Sequence, residues 1–239
     1  MRDRIIVPLD APDLESARRL LERLDGCASV LKVGKELFTA AGPAAVELAL
    51  RHEARVFLDL KYHDIPNTVA GAVKAAASLG VWMMNVHVSG GRAMMESARG
   101  ALDSLNLNPR PLLIGVTALT SLDERQWREV YGDGAAALDR QAARMARLAA
   151  EAGLDGVVAS PLELKAVRQA GGAEMVVVTP GVRPAGSDAH DQRRVATPAE
   201  AVANGADYLV IGRPIAQSDD PPAAMERILR GLASPLPSG

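Results

Sequence analysis

The sequence Arg-Val-Phe-Leu-Asp-Leu-Lys-Tyr-His-Asp-Ile-Pro-Asn-Thr, residues 55–68, combines a strand, a turn and the first residue of a helix. Its apolar beginning predicts a strand from Arg55 to Lys61, and Ile65-Pro66-Asn67 predicts the turn that follows. The helical pattern after the turn extends from about Thr68 to Ser78. A buried strand that leads directly into a helix is the repeating unit of a parallel sheet, in which helices connect neighbouring strands.

The same alternation of short apolar runs and helical patterns extends along the whole chain. The other predicted strands are 5–9, 30–33, 83–88, 112–117, 156–159, 175–179 and 208–211. Eight strand–helix units in 239 residues predict an α/β fold, a closed (β/α)8 TIM barrel, as a single domain over residues 1–239. An open doubly wound sheet is the alternative. The tail from about residue 233 is predicted to be frayed.

The composition narrows the class of protein. Hydrophobic residues make up 48% of the chain, which is enough for a large core, and the net charge of −2 provides no field for nucleic acid or an anionic membrane. The single cysteine, Cys27, excludes an internal disulfide and is typical of a reducing compartment. No apolar run is long enough to span a bilayer. We therefore expect a cytoplasmic protein that binds neither nucleic acid nor membranes.

Charged residues lie where the predicted strands end, and in barrels chemistry takes place at the carboxyl ends of the strands. Alternation along the third strand places Asp59 and Lys61 on one face, and Asp10 and Lys32 end the first two strands. Placing such charges beside apolar surface costs free energy unless they form ion pairs or take part in binding or catalysis. An isolated Asp-x-Lys favours a structural ion pair, but two Asp–Lys pairs on three neighbouring strands favour a functional site. Asp64 can turn back toward this site or reach a neighbouring chain.

Two loops predict a phosphate site. Pro180-Gly-Val-Arg-Pro184 follows the seventh strand, and Ile211-Gly-Arg-Pro214 follows the eighth. Gly212 permits close approach of the backbone to an anion, and the guanidinium of Arg213 can bind two phosphate oxygens. Pro214 suits the first turn of a helix. Because loops after strands seven and eight bind phosphate in many barrels, we expect a phosphorylated small molecule as the ligand.

Residues 59–68 also resemble a known family. The pattern Asp59-x-Lys61-x-x-Asp64-Ile65-Pro66-Asn67-Thr68 is similar to the signature of the orotidine 5'-phosphate decarboxylases, which make UMP from orotidine 5'-phosphate. The similarity continues in the same order from Asp10 to Arg213, with uncharged departures at Tyr62 and Pro8. The resemblance implies a carboxy-lyase of de novo pyrimidine biosynthesis that needs neither cofactor nor metal.

The resemblance also implies roles for individual residues. Lys61 would donate a proton to C6 of the pyrimidine, within a catalytic charged network that comprises Lys61, Asp59, Asp64 and Lys32. The residues expected to bind the substrate are Asp10, Lys32, Asp59, Ile65, Thr68, Thr120, Arg183, Gln192, Gly212 and Arg213. In the family a homodimer completes each site, so Asp64, Ile65 and Thr68 would be contributed to the partner's site.

Two other functions are compatible with parts of the pattern. A barrel similar to 3-keto-L-gulonate 6-phosphate decarboxylase would share Asp-x-Lys-x-x-Asp but would use a metal and would lack the Ile-Pro-Asn-Thr that follows Asp64 here. A non-catalytic nucleotide-binding barrel could keep Arg213 without retaining Lys32, Asp59 and Lys61 together. The four histidines are scattered and there is no cysteine cluster, so metal-ligand spacing is absent from the sequence.

Overall fold

Eight parallel strands close into a barrel in the computed structural model, which describes residues 1–184 and 196–233. Each strand pairs with its neighbours in chain order, and β1 also pairs with β8. The predicted (β/α)8 barrel is therefore confirmed. The strands are β1 (Ile5–Pro8), β2 (Val30–Gly34), β3 (Arg55–Tyr62), β4 (Met83–His87), β5 (Leu112–Val116), β6 (Gly156–Val158), β7 (Val176–Thr179) and β8 (Tyr208–Val210).

Helices surround the barrel on its outer side. Across the described residues, each of them is too short or too polar to cross a membrane. They are α1 (Leu14–Leu24), α2 (Lys35–Ala41), α3 (Pro43–Arg51), α4 (Pro66–Ser78), α5 (Arg92–Asp103), α6 (Glu124–Tyr131), α7 (Leu138–Glu151), α8 (Leu164–Gly171), α9 (Pro198–Ala203), α10 (Arg213–Ala216) and α11 (Pro221–Ala233).

Observed and predicted strand boundaries differ by no more than one residue at either end. Helix α9 was not predicted, although Thr197-x-x-Glu200 is a capping box at its start. Thr197 Oγ1 accepts a hydrogen bond from the backbone N–H of Glu200, and Glu200 Oε2 accepts one from the N–H of Thr197. The predicted frayed tail falls mostly on residues 234–239, which lie outside the described part of the chain.

The barrel strands separate two apolar clusters because successive side chains point to opposite faces. The inner cluster fills the barrel with one residue from each of six strands: Ile6, Val30, Phe57, Met83, Ile114 and Val178. The outer cluster, between strands and helices, takes the alternate residues, such as Leu31 and Val33 beside Lys32. Along each strand, every second side chain points into the barrel. Toward the carboxyl end of the barrel, these inward-pointing side chains include polar groups.

The amino-terminal end of the barrel is filled by aromatic side chains. The rings of Trp82 and Tyr208 meet edge to face with centroids 5.1 Å apart, and both pack against the inner cluster. The guanidinium of Arg55 lies 4.4 Å above the Trp82 ring, a cation–π contact. This end of the barrel therefore contributes to packing, while the opposite end is left for ligand binding.

Strand β3 contains a bulge at its carboxyl end. Leu58 is opposite Met84 and Tyr62 is opposite Val86, so three residues of β3 (59–61) face the single residue Asn85 of β4. Lys61 takes a left-handed backbone conformation, with φ of 52°. That conformation costs a non-glycine residue about 1–2 kcal/mol, so surrounding contacts must hold it in place.

Two aspartates link strands to helices at the amino-terminal ends of β6 and β8. Asp155 accepts hydrogen bonds from the backbone N–H of Leu113 (2.8 Å), from Arg99 (3.0 Å) and from Arg110 (2.7 Å). Asp207 is used in the same way, because it accepts hydrogen bonds from the N–H of Val177 and from Arg168. Each carboxylate thus joins a neighbouring strand to an arginine of a surrounding helix.

Replacing Asp155 should therefore destabilise the fold. The Asp155→Ala change removes four charge-assisted hydrogen bonds, from Arg99, Arg110 and the N–H of Leu113. It leaves the 11%-exposed Arg99 without this partner, so we expect a loss of about 2–3 kcal/mol in the free energy of unfolding. Denaturant unfolding followed by circular dichroism measures it. The control is Glu47→Ala, which breaks an exposed pair with Arg51 and should cost less than about 1 kcal/mol. Equal losses would contradict a bracing role for Asp155.

Candidate active site

A pocket of about 270 Å³ opens at the carboxyl ends of the strands. The structure brings eight of the predicted site residues to its wall: Asp10, Lys32, Asp59, Lys61, Thr120, Arg183, Gly212 and Arg213. They come from β2 and β3, from the connections after β1, β5, β7 and β8, and from the first residue of α10. Closure of the barrel is what gathers these residues, since they span more than two hundred positions of the chain.

Four of these side chains form a row of alternating charge. Lys61 Nζ lies 2.7 Å from Asp59 Oδ1, and Lys32 Nζ lies 3.4 Å from Asp59 Oδ2 and 3.6 Å from Asp10 Oδ1. Lys32 and Asp59 are nearly enclosed, with side chains 13% and 12% exposed, whereas the Asp10 side chain is 69% exposed. The two middle members of the row, Lys32 and Asp59, are therefore more enclosed than Asp10 and Lys61 at its ends.

Asp59 is ionised despite its burial. Burial by itself raises the pKa of this carboxyl, but the charges of Lys32 and Lys61 and hydrogen bonds from Lys61 and Asn85 outweigh it and hold the pKa below its ordinary value. The pocket thus presents a fixed negative charge directly beside the Lys61 ammonium.

Sequence reasoning missed Asn85, which is fully buried on β4. Its Nδ2 donates to Asp59 Oδ1 (2.7 Å), and its Oδ1 accepts the backbone N–H of Lys61 (2.8 Å). A signal was present, because Asn85 interrupts the apolar run Met83, Met84 and Val86 with a polar side chain. A buried polar group in such a strand requires a hydrogen-bonding partner.

Two arginines line the part of the pocket that follows β7 and β8. In the closed barrel three strands separate β3 from β7 in either direction, so Arg183 stands across the mouth from Lys61, whereas Arg213, after β8, is separated from β3 by β1 and β2. Arg183 is 9% exposed and its Nη1 donates to the backbone carbonyl of Val182 (2.9 Å). A Cβ at Gly212 would lie 2.8 Å from Cγ of Pro8, so glycine is required there for packing against β1.

Two threonines after β5 take different positions. Thr120 lines the pocket. Thr117, another strand-end polar residue, is 3% exposed and its hydroxyl donates to the backbone carbonyl of Val158 (2.9 Å). Thr117 therefore serves the pairing of β5 with β6, and Thr120 is the threonine placed to meet a ligand.

Three predicted residues lie away from this pocket, and one cannot be placed. Asp64, Ile65 and Thr68 belong to the stretch 63–68, which is exposed at the start of α4. Ile65 is 66% exposed. The Asp64 carboxylate accepts the backbone N–H of Ile65 (2.6 Å). Gln192 lies outside the described residues.

His87 lies at the end of β4, two residues beyond Asn85. Its ring centroid is 5.5 Å from that of His63. Burial, together with the electrostatic effect of the neighbouring His63 and the positive charges of Lys35 and Lys61, lowers the pKa of His87 to about 4. His87 is therefore a neutral imidazole at neutral pH. Within residues 1–184 and 196–233, no three His, Cys, Asp or Glu side chains gather in a group that could hold a metal ion.

Comparison with known proteins identifies the family to which this sequence belongs. The family model described as "Orotidine 5'-phosphate decarboxylase / HUMPS family" matches residues 3–228. The chain belongs to this family. Among its relatives, the orotidine 5'-phosphate decarboxylase of Moorella thermoacetica is 56% identical over 95% of this chain and 91% of that protein. The enzyme of the same name from Teredinibacter turnerae is 50% identical, over 95% and 97% of the two chains.

Solved structures of related proteins have the same architecture as this family member. The orotidine 5'-phosphate decarboxylase of Lactobacillus acidophilus superposes with a TM-score of 0.83 at 35% identity, over 96% of this chain and 99% of that one. An uncharacterized conserved protein of Geobacillus kaustophilus gives a TM-score of 0.83 at 39% identity, over 95% and 99% of the two chains. The barrel is thus shared over nearly the full length of each chain.

Acid should weaken the fold through His87. Between about pH 6.5, the ordinary pKa, and about pH 4, the unfolded chain binds more protons at His87 than the folded protein, so the free energy of unfolding should fall as the pH falls. His87→Gln should make this decline shallower. Urea unfolding at several pH values across this window measures both slopes. His52→Gln, at an exposed histidine after α3, is the matched control, and an equal change in its slope would contradict the assignment.

Proposed function

We propose that this protein decarboxylates orotidine 5'-phosphate to UMP and CO2 in pyrimidine biosynthesis. The observation that carries the proposal is the alternating row Asp10, Lys32, Asp59 and Lys61 in the same pocket as Arg183 and Arg213. One wall suits a phosphate and the opposite wall suits a reaction that develops charge. The names of the relatives, at about half identity over most of the chain, support the same reaction.

The substrate would span the mouth of the barrel. Its phosphate would bind Arg213 and Arg183 on the β7–β8 side, which directs the pyrimidine toward Lys61 on β3. Asp10 and Lys32 would contact the ribose, and Thr120 would face the base. Binding energy from the phosphate, far from the reacting carbon, would then be available to hold C6 against the charged row.

The chemical step needs a stabilised carbanion and a proton. The bond between C6 and the carboxylate breaks, CO2 leaves, and the electron pair stays on C6. The Lys61 ammonium next to C6 would stabilise this negative charge and then transfer a proton to C6, which leaves a neutral amine that is reprotonated from solvent. Asp59, held 2.7 Å from Lys61, would lie beside the departing carboxylate. Because these charges are already fixed, little reorganisation accompanies the reaction.

The active form would be a homodimer. The exposure of Asp64, Ile65 and Thr68 outside their own chain's pocket supports a role in the site of a second copy. Ile65 would be covered by that contact, and Asp64 would extend the partner's row of charges beyond Lys61. We further propose that the enzyme works in the cytoplasm, without cofactor or metal, and binds neither nucleic acid nor membranes.

Loss of the Lys61 ammonium should abolish turnover. We expect the protein to remove the ultraviolet absorbance of orotidine 5'-phosphate, and Lys61→Ala to slow this at least about 10³-fold because both charge stabilisation and proton donation are lost. UMP binding, measured by calorimetry, should persist and would show that the variant is folded.

The matched control for that experiment is Lys74→Ala, at an exposed lysine of α4, which should keep the wild-type rate. An active Lys61→Ala protein would remove the proposed acid. An unmodified protein that leaves orotidine 5'-phosphate intact, or that needs added Mg²⁺, would favour the metal-using alternative.

Subunit mixing tests whether the site is shared. Lys61→Ala and Asp64→Ala should each be inactive alone, because each removes one member of every site. After subunit exchange, a heterodimer has one site with both residues intact, so we expect up to about half of the wild-type activity per heterodimer. Exchange is followed by native mass spectrometry. Proven exchange without recovered activity would place Asp64 in its own chain's site or outside the site altogether.

A further inference from the structure

The Asn85 side chain is placed at the centre of the β3 bulge. It is the single β4 residue opposite residues 59–61, and it is fully buried. Its amide bonds both ends of that three-residue segment, through the carboxylate of Asp59 and the backbone N–H of Lys61. One planar group therefore fixes the two residues of the closest ion pair in the pocket.

The two partners also determine the orientation of the Asn85 amide. A carboxylate can only accept a hydrogen bond, so it must face Nδ2, and a backbone N–H can only donate, so it must face Oδ1. Aspartate at this position would lack the donor, and an aliphatic residue would lack both groups. The site therefore needs a side chain that donates and accepts in one plane.

Contact with Lys61 has a second consequence. Lys61 has the left-handed backbone conformation of a strained residue, and its N–H donates to the Asn85 side chain. Asn85 thereby stabilises the conformation that turns the lysine side chain into the pocket. Asn85 does not itself line the pocket, so it acts on a ligand through Asp59 and Lys61.

We propose that Asn85 is a positioning residue, which holds the Asp59 carboxylate and the strained Lys61 backbone at the separation that aims the Lys61 ammonium at the reacting carbon. This inference rests on the proposed function, since it names the residue that orders the proposed acid. If the inference is correct, removing the Asn85 amide misaligns Lys61 and Asp59. Phosphate binding across the mouth of the pocket stays intact.

The test compares steady-state kinetics of Asn85→Ala with those of the unmodified protein on orotidine 5'-phosphate. We expect kcat to fall about 10²-fold, as for a misplacement of about 1 Å, while KM and the affinity for UMP change less than about threefold, because phosphate contacts supply most of that binding. Thr117→Val is the matched control, since it removes a buried hydrogen bond at the end of the next strand and should lower stability without lowering kcat.

Asn85→Asp provides a readout that a merely structural residue would not give. The carboxyl introduced at position 85 faces the Asp59 carboxylate and the backbone N–H of Lys61. Lys32 and the Lys61 ammonium pair with Asp59, and His87 lies two residues along β4. Ionised, the introduced carboxyl repels Asp59, but protonated it can donate to Asp59 as the amide does. The kcat of this variant should therefore rise as the pH is lowered from about 8 toward about 6, relative to the unmodified protein.

The outcomes separate this inference from the proposed function. An unmodified protein without decarboxylase activity contradicts the proposed function itself. An active protein whose Asn85→Ala variant folds and keeps its kcat, or whose losses fall on KM, overturns the positioning role. If Asn85→Ala does not fold, the isosteric Asn85→Asp decides: a kcat equal to that of the unmodified protein at every pH overturns the role, and the expected pH dependence supports it.

Discussion

The structure of the pocket depends on one carboxylate, that of Asp59, held between two ammonium groups. Lys61 lies 2.7 Å from one oxygen and Lys32 lies 3.4 Å from the other. Burying a single charge here would be unfavourable, but the two lysines and the Asn85 amide satisfy it so fully that the pKa of Asp59 is lowered rather than raised. The same carboxylate fixes both lysines, so the positive charges are oriented before any ligand arrives.

Contacts that stabilise the fold lie at the amino-terminal end of the barrel, and the charged pocket lies at its carboxyl end. At the amino-terminal end, the Trp82–Tyr208 pair and the carboxylates of Asp155 and Asp207 bind strands to one another and to arginines. At the carboxyl end, charged side chains extend from the same strands into the pocket. A strained residue such as Lys61 can be maintained at that end because the rest of the sheet is fully paired and filled. The distance between Lys61 on β3 and Arg183 after β7 then follows from the diameter of the barrel.

The row of charges within one chain ends at Lys61, and the next acidic residue in the sequence pattern, Asp64, is exposed. We propose that a second copy of the chain covers this stretch, which would bring the Asp64 carboxylate into the partner's site. The proposed site therefore combines ion pairs within the barrel, to which residues 59–68 contribute Asp59 and Lys61, with a proposed contact to a second copy of the chain through Asp64 and Ile65.

Local sequence determined the strands and helices, because apolar periodicity is set by residues a few positions apart, and it placed Asp59 and Lys61 on one face. It also located the arginine loops after β7 and β8, from which the charged ligand was predicted. The start of α9 is also encoded locally, as a capping box at Thr197. The bulge in β3, the left-handed backbone of Lys61 and the role of Asn85 were decided only by tertiary structure. They depend on the register between β3 and β4, which is set by packing between strands more than twenty residues apart and leaves no periodic trace in either strand.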